Sequence, residues 1–334
     1  MNGSVRVCEI HSPALSGNPL GDPDRRQTPI YLPPGYERTS NRYPVIYFLH
    51  GFCGQGQSWL NVSPFSLTPL ERLDGLIASD AIPPVIGVFA DGWTALGGGQ
   101  WINSEATGRY EDYLSQDVVG FVDRTLRTVP SSAGRAAVGK SSGGYGALAI
   151  GCHRPEVFGH IGAHSADAYF EYCYLPTFPK AAVALKDSAG IAQWFDAFIA
   201  RARETSMKSD DFHVVEILAM SAAYSPKMGE PMNFDLPFET ATGRIRTDVW
   251  ERWLENDPVR FVPARISSLR RLKSIFIDCG SRDEYYLQLG ARMVAEVLTR
   301  AGIELRHEEF DDGHTGTNYR YAESLKYLAP RLAR

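Results

Sequence analysis

The chain has 334 residues, of which 44% are hydrophobic and 22% are charged, and its formal net charge is −5. This composition is ordinary for a globular protein, and the negative charge argues against nucleic acid or an anionic membrane as a partner. No apolar run approaches the ~20 residues of a membrane-spanning helix.

The N-terminal sequence lacks a basic stretch followed by an apolar segment, so we expect a cytoplasmic protein with no signal peptide. The five cysteines are widely spaced and form no C-x-x-C pair, which favours free thiols in a reducing compartment. No cluster of His, Cys and Asp has the spacing of metal ligands, so the expectation is an absence of metal and organic cofactors. The sequence leaves homo-oligomerisation open.

Strand-like segments recur along the chain: RQTPIYLP, YPVIYFLHG, PPVIGVFADG, RAAVGK, GHIGAHS, KSIFIDCG and ELRHEEF. Helical patterns alternate with them: TPLERLDGLIAS, YEDYLSQDVVGFVDRTLRTV, SSGGYGALAIGCHR, YYLQLGARMVAEVLTRAG and NYRYAESLKYLAPRLAR. The alternation predicts a single α/β domain with a doubly wound, mostly parallel sheet and helices on both faces. The second and third strands are almost continuously apolar, as expected of strands covered on both sides.

A stretch of roughly a hundred residues, from about 166 to 267, interrupts this alternation with helical and loop-like sequence. IAQWFDAFIARARE carries an amphipathic stripe, and PKMGEPMNFDLPFETATGR (226–244) is typical of a loop. We interpret the stretch as an inserted helical cap over the C-terminal edge of the sheet, where ligands bind in such folds.

The segment AVGKSSGGYGAL contains a candidate nucleophile. A serine at a sharp strand-to-helix turn needs small residues two positions before and after it, because the backbone there approaches its neighbours closely. Ser141 has Gly139 and Gly143 at these positions, whereas Ser142 has Lys140 at one of them. The pattern therefore selects Ser141.

A serine nucleophile needs a base and an acid that orients the base. Asp283 follows the strand SIFIDCG, and His314 follows the strand ELRHEEF. Glu284 is interpreted as the first residue of the next helix, and Asp278 as a residue within the strand. Ser141, Asp283 and His314 then follow the chain order of nucleophile, acid and base that is found in α/β-hydrolases.

Backbone N–H groups must stabilise the negative charge that develops on the substrate oxygen. We assign one to Ser142 and the other to Phe52, in the loop FLHGFCGQGQSW, with Gly51 or Cys53 as alternatives. Trp93 and Trp101, in a loop after another strand, are predicted to contact substrate, with core packing nearly as good an explanation. Lys140, next to Ser141, is a further predicted substrate contact.

The sequence resembles the esterase family of α/β-hydrolases that includes esterase D, feruloyl and acetyl-xylan esterases and the mycolyltransferases. The matching stretches include YLPPGY, YPVIYFLHG, RPEVFGHIGAHS, IDCGSRDEYY and DDGHTGTNYR. The resemblance implies an α/β-hydrolase fold, with the nucleophile at Ser141, the acid at Asp283 and the base at His314. Lys140 and Ser142 depart from the His or Leu and the Met that many members carry beside the serine.

These observations predict a serine carboxylesterase that acts on a small-molecule ester through an acyl-enzyme. An acyltransferase using the same residues is one alternative, in which an acceptor alcohol replaces water. A non-catalytic binding protein on a hydrolase scaffold is the other, and the complete set of catalytic residues argues against it.

Overall fold

The computed structural model describes residues 1–228 and 232–334; residues 229–231, within the stretch predicted as a loop, lie outside the described residues. The strands in the described residues are β1 (Ser4–His11), β2 (Arg25–Leu32), β3 (Val45–Leu49), β4 (Ile86–Phe89), β5 (Asn103–Ser104), β6 (Gly108–Arg109), β7 (Arg135–Lys140), β8 (His160–His164), β9 (Ser274–Gly280) and β10 (Arg306–Phe310). The α-helices are α1 (Pro69–Ala78), α2 (Tyr110–Asp112), α3 (Val119–Thr125), α4 (Ser142–His153), α5 (Phe170–Cys173), α6 (Phe178–Leu185), α7 (Ile191–Glu204), α8 (Ser209–Tyr224), α9 (Thr247–Glu255), α10 (Pro258–Ala264), α11 (Ile266–Leu269), α12 (Leu287–Arg300) and α13 (Tyr321–Leu328).

Eight of these strands form one sheet in the order β1-β2-β4-β3-β7-β8-β9-β10. Neighbouring strands from β4 to β10 run parallel, whereas β2 is antiparallel to both β1 and β4. The predicted doubly wound, mostly parallel α/β sheet is therefore confirmed. Because parallel strands present their carboxyl ends at one edge, the loops after β3, β7, β8, β9 and β10 meet there.

The apolar sequence of β3 explains why helices cover both faces of the sheet. Every residue of Val45–Leu49 is buried, and alternate side chains enter different clusters. Tyr47 packs with Leu114 and Val118 on one face, whereas Phe48 packs with side chains of α1 and α13 on the other. Each large side chain buried in this way contributes on the order of 1.5–3 kcal/mol.

The segment between β8 and β9 contains α5 to α11. Helix α7 has the predicted bounds, and its Phe195 and Phe198 are buried. Helix α8 is apolar on almost all sides and packs in the same core cluster as α4. Its lack of an amphipathic stripe explains why the sequence pattern did not single it out. The description of this segment as an inserted cap stays a prediction.

Two elements differ from the sequence prediction. Strand β1 was not predicted, because it lies at the sheet edge and most of its side chains are exposed, so that it lacks an apolar pattern. The helix predicted over residues 110–129 contains a π-helical turn, Tyr113–Val118, and ends at Thr125. All five cysteines are free, as predicted. In the described ranges, no helix is both long and apolar enough to cross a bilayer.

Candidate active site

Ser141 lies at the turn between β7 and α4 in a strained backbone conformation. Its φ of 58° and ψ of −126° are unusual for a residue with a side chain. A Cβ atom on Gly139 would lie 2.3 Å from the Gly143 carbonyl oxygen, and one on Gly143 would lie 2.1 Å from the Leu49 carbonyl oxygen. The close backbone approach predicted at these two glycines is therefore confirmed.

Asp283 and His314 are hydrogen bonded to each other at the same sheet edge. Asp283 lies three residues beyond β9 and His314 four residues beyond β10, and His314 Nδ1 is 2.8 Å from Asp283 Oδ2. The second carboxylate oxygen of Asp283 accepts the N–H of Tyr285 at 3.0 Å. A carboxylate at Nδ1 favours the imidazole tautomer protonated there, which leaves Nε2 as a proton acceptor.

The neighbouring acids have other partners. Asp278 is fully buried, and its carboxylate bonds to His164 Nδ1 at 2.7 Å and to Arg320 Nε at 2.8 Å. Its predicted place within the strand is thus confirmed. The interpretation of Glu284 as the first helical residue is wrong, because α12 begins at Leu287. Glu284 Oε2 instead accepts the backbone N–H of His314 at 2.6 Å.

The loop after β3 packs against the Ser141 turn. A Cβ on Gly51 would lie 3.2 Å from the Lys140 carbonyl oxygen. His50 Nδ1 is 2.9 Å from the Gly51 carbonyl oxygen, and its Nε2 accepts the N–H of Gly92 at 2.9 Å. Burial lowers the pKa of His50, which favours the neutral imidazole. Its two contacts hold the loop in place.

The backbone N–H groups around the Ser141 turn differ in whether they have a hydrogen-bond partner. Cys53 donates its N–H to the Gly97 carbonyl oxygen at 3.0 Å, which removes it as an alternative donor. The N–H groups of Phe52 and Ser142 have no hydrogen-bond partner in the described part of the chain, and neither has that of Gly51, which stays an alternative to Phe52. Ser142 is also the first residue of α4. The first N–H groups of an α-helix have no acceptor within the helix.

A cavity of about 430 Å³ contains Ser141 and His314 in its lining. One group of lining residues comes from the loops before α1 and after β10, and it includes Asn61, Leu67, Thr68, Thr315 and Asn318. A second group comes from the segment after β8: Asp167, Cys173, Phe212 and Glu216. We call this second group the insertion-side wall. Tyr285 and Phe52 also line the cavity.

Lys140 lines the same cavity, and its pKa is lowered by burial, an effect that the negative charges of Asp283 and Glu284 oppose. Trp93 and Trp101 do not belong to the described lining. Trp101 is buried and donates its Nε1–H to the His50 carbonyl oxygen at 3.0 Å. Trp93 lies beneath the Arg26 guanidinium, 5.0 Å from the ring centroid. Neither tryptophan is part of the substrate pocket that we propose below.

Asp167 is a site residue that sequence reasoning missed. Ser141 Oγ donates to Asp167 Oδ1 at 3.3 Å, whereas Oδ2 accepts from Gln100 at 2.9 Å, from Tyr174 at 2.7 Å and from Ser142 Oγ at 3.3 Å. Burial raises the pKa of Asp167, and the Gln100 and Tyr174 hydrogen bonds oppose that rise. The available signal was an acidic residue shortly after the end of a buried parallel strand, in GAHSAD.

Comparison with known proteins identifies the family to which the chain belongs. Residues 23–326 match the model of the family described as "Putative esterase". The chain belongs to this esterase family. Over 144 residues the esterase is 32% identical to the endo-1,4-β-xylanase/feruloyl esterase of Xylanibacter ruminicola, a match that covers 42% of this chain and 19% of the relative. It thus spans about a fifth of that curated relative.

Solved structures show the same fold. The esterase is similar to a ferulic acid esterase with a TM-score of 0.61 and 18% identity, over 99% of both chains. It is also similar to an S-formylglutathione hydrolase from Agrobacterium tumefaciens, with a TM-score of 0.58 and 15% identity, over 99% of this chain and 96% of the other. Together with the strand order, these similarities establish the α/β-hydrolase fold.

Proposed function

We propose that this protein is a serine carboxylesterase in which Ser141 is the nucleophile, His314 the general base and Asp283 the acid that orients the base. The observation that carries the proposal is the 2.8 Å contact of His314 Nδ1 with Asp283, in one cavity with the strained Ser141 turn. Membership in the esterase family supports the same chemistry.

In the proposed first step, the Ser141 hydroxyl turns from Asp167 toward His314 Nε2 and attacks the ester carbonyl carbon. The hydroxyl proton passes to Nε2, and Asp283 stabilises the imidazolium that results. The carbonyl π electrons move to the substrate oxygen, which the N–H groups of Phe52 and Ser142 stabilise. Such a donor is worth roughly 3 kcal/mol in the transition state.

The tetrahedral intermediate then collapses to an acyl-enzyme. The bond to the alcohol oxygen breaks, and that oxygen takes the proton from His314. Water, with His314 again as the base, attacks the acyl carbon and releases the acid and Ser141. The alcohol therefore leaves beside His314, and we propose that it occupies the part of the cavity near Thr315 and Asn318.

The segment from about 166 to 267 is proposed as a cap that shapes the acyl side of the cavity. It contributes four of the residues that line the cavity, those of the insertion-side wall. The proposed partner is a small-molecule ester. Transfer of the acyl group to an alcohol remains the alternative outcome of the same acyl-enzyme, and product analysis with and without an added acceptor alcohol distinguishes the two.

The experiment is labelling with a fluorophosphonate probe, together with hydrolysis of acetyl, feruloyl and thioester substrates. Wild-type protein and the Ser142→Ala variant should be labelled, whereas Ser141→Ala should not be. Ser142→Ala is the matched control because the proposed role of Ser142 uses its backbone N–H. Equal loss in both variants would contradict the assignment of Ser141. Absence of labelling in folded wild-type protein would favour a non-catalytic binding protein.

A further inference from the structure

The insertion-side wall contains two carboxyl groups that have no cationic partner among the described residues. Glu216, on α8, is only 9% exposed and lines the cavity, yet its Oε2 atom has no hydrogen-bond partner there. Asp167 accepts hydrogen bonds from neutral groups only. Three other buried carboxylates are each paired with an arginine: Asp278 with Arg320, Glu111 with Arg154 and Asp257 with Arg260.

An uncompensated pair of buried carboxyl groups is unfavourable when both are ionised. Burial raises the pKa of Glu216 to about 8, and the negative charge of Asp167 contributes to this rise. The wall therefore holds a proton in the absence of a cation. A positively charged group between the two side chains would supply the missing partner and release that proton.

The position of Asp167 limits where such a group can be attached. Its Oδ1 lies 3.3 Å from Ser141 Oγ, the atom that bonds to the acyl carbon in the proposed mechanism. A substituent on the carbon next to the carbonyl would therefore lie within reach of Asp167. In the proposed mechanism the alcohol leaves toward His314, so the insertion-side wall is left for the acyl part.

Aromatic side chains surround the same part of the cavity. The rings of Phe52 and Phe212 lie 5.5 Å apart in an edge-to-face arrangement, and both line the cavity. Tyr285 also lines it and contacts His314 edge-to-face at 5.0 Å. Flat apolar surfaces beside two carboxyl groups suit an acyl group that carries an aromatic ring as well as a positive charge.

We propose that Asp167 and Glu216 bind an ammonium group on the carbon next to the ester carbonyl, so that the preferred substrates are aromatic amino-acyl esters. This proposal rests on the proposed function for the placement of the acyl group. The ammonium group has a second effect. By taking the Asp167 oxygen as its acceptor, it frees the Ser141 hydroxyl to donate to His314.

The first experiment compares three methyl esters that differ only in one substituent: those of phenylalanine, 3-phenyllactate and 3-phenylpropanoate. Their α-substituents are ammonium, hydroxyl and hydrogen. The measurement is kcat/KM at about pH 6.5, where an α-amino group with a pKa near 7.7 is mostly protonated. Glu216→Gln should lower the ratio for the phenylalanine over the phenylpropanoate ester by about 10- to 100-fold. The intrinsic reactivity of each ester cancels in this comparison with wild type.

Glu304→Gln is the matched control. It removes one negative charge from an exposed side chain just before β10, at the opposite end of that strand from His314. Its ester ratios should equal those of wild type. An unchanged ratio in Glu216→Gln would overturn the proposal. Equal loss for the phenyllactate ester would overturn it as well, because the wall would then bind neutral hydrogen-bond donors.

A binding measurement separates this proposal from the proposed function. Calorimetry with 2-phenylethylamine and 2-phenylethanol requires no turnover, and the amine should bind wild type at least ~10-fold more tightly. That preference should disappear in Glu216→Gln, whose folding is checked by its melting temperature. Equal affinities would overturn the ammonium site even if esters are hydrolysed. A strong preference without ester hydrolysis or fluorophosphonate labelling would instead contradict the proposed function.

Discussion

Two aspartate–histidine pairs lie at neighbouring strands of the sheet, and their surroundings differ. His314 and Asp283 are joined at 2.8 Å beside a cavity. His164 and Asp278 are joined at 2.7 Å in the core, and His164 Nε2 is also 2.8 Å from Ser324 Oγ. The enclosed histidine therefore has a serine as a hydrogen-bond partner, whereas the Ser141 hydroxyl donates to Asp167. An Asp, a His and a Ser joined by hydrogen bonds therefore do not by themselves identify an active site.

The difference lies in what surrounds each serine. Ser324 is fully buried and bonds to the Tyr321 carbonyl oxygen at 3.1 Å. Ser141 lies on a strained turn that lines the cavity, beside the N–H groups of Phe52 and Ser142, which have no partner among the residues that the structure describes. Access, backbone strain and donors for a substrate oxygen distinguish the candidate active site from a structural network of the same residue types.

The largest effect is expected from Asp283→Asn. An asparagine amide can donate to His314 Nδ1, which favours the tautomer in which Nε2 is already protonated. We expect kcat on an aryl ester to fall by ~10⁴, as the same change does in a serine protease. Asp278→Asn is the matched control and should retain kcat per folded molecule. If Asp283→Asn proved the milder of the two, the acid would be misassigned.

Asp278→Asn should instead lower the free energy of unfolding. The carboxylate binds both His164 and Arg320, and the substitution leaves the largely buried guanidinium without one of its two acidic partners. Removing one member of a buried ion pair costs about 3–5 kcal/mol. Glu308 still pairs with Arg320, so the lower end of that range is expected, measured by urea unfolding. A fall in kcat per folded molecule as large as that of Asp283→Asn would contradict the structural role assigned to Asp278.

Glu216 gives a third environment, in which a carboxyl group pairs with neither a histidine nor an arginine of residues 1–228 and 232–334. Its pKa is about 8 in the folded protein and near the ordinary value of 4.5 in the unfolded chain. Between these values the folded state holds a proton that the unfolded state has released, so stability falls as pH rises. The slope is at most about 1.4 kcal/mol per pH unit. Unfolding of Glu216→Gln from pH 5 to 8 should show a shallower slope than wild type; equal slopes would contradict this ionisation.

The sequence predicted the central sheet well because its strands are short apolar runs separated by helical patterns. It also predicted Ser141, since two glycines are required by contacts of 2.3 and 2.1 Å that leave no room for a Cβ. It missed Glu216 because α8 is apolar on nearly every side, so that a single carboxyl group has no distinguishing pattern. The contact between Asp167 and Ser141 depends on how two strand ends meet in space, which no local spacing encodes.

The smallest effect is expected from Glu284→Gln, which tests how His314, the proposed base, is positioned. Glu284 Oε2 accepts the backbone N–H of His314 at 2.6 Å, so this contact is with the histidine backbone rather than with its imidazole. A glutamine oxygen can accept the same N–H, so we expect less than a tenfold loss of kcat, about 1.4 kcal/mol at most. Glu284→Ala leaves that buried N–H without an acceptor and should cost more than Glu284→Gln. Because the residue acts through the backbone of His314, both variants should lower kcat with little change in KM. A larger loss in Glu284→Gln than in Glu284→Ala would show that the negative charge, rather than the hydrogen bond, is what the imidazole requires.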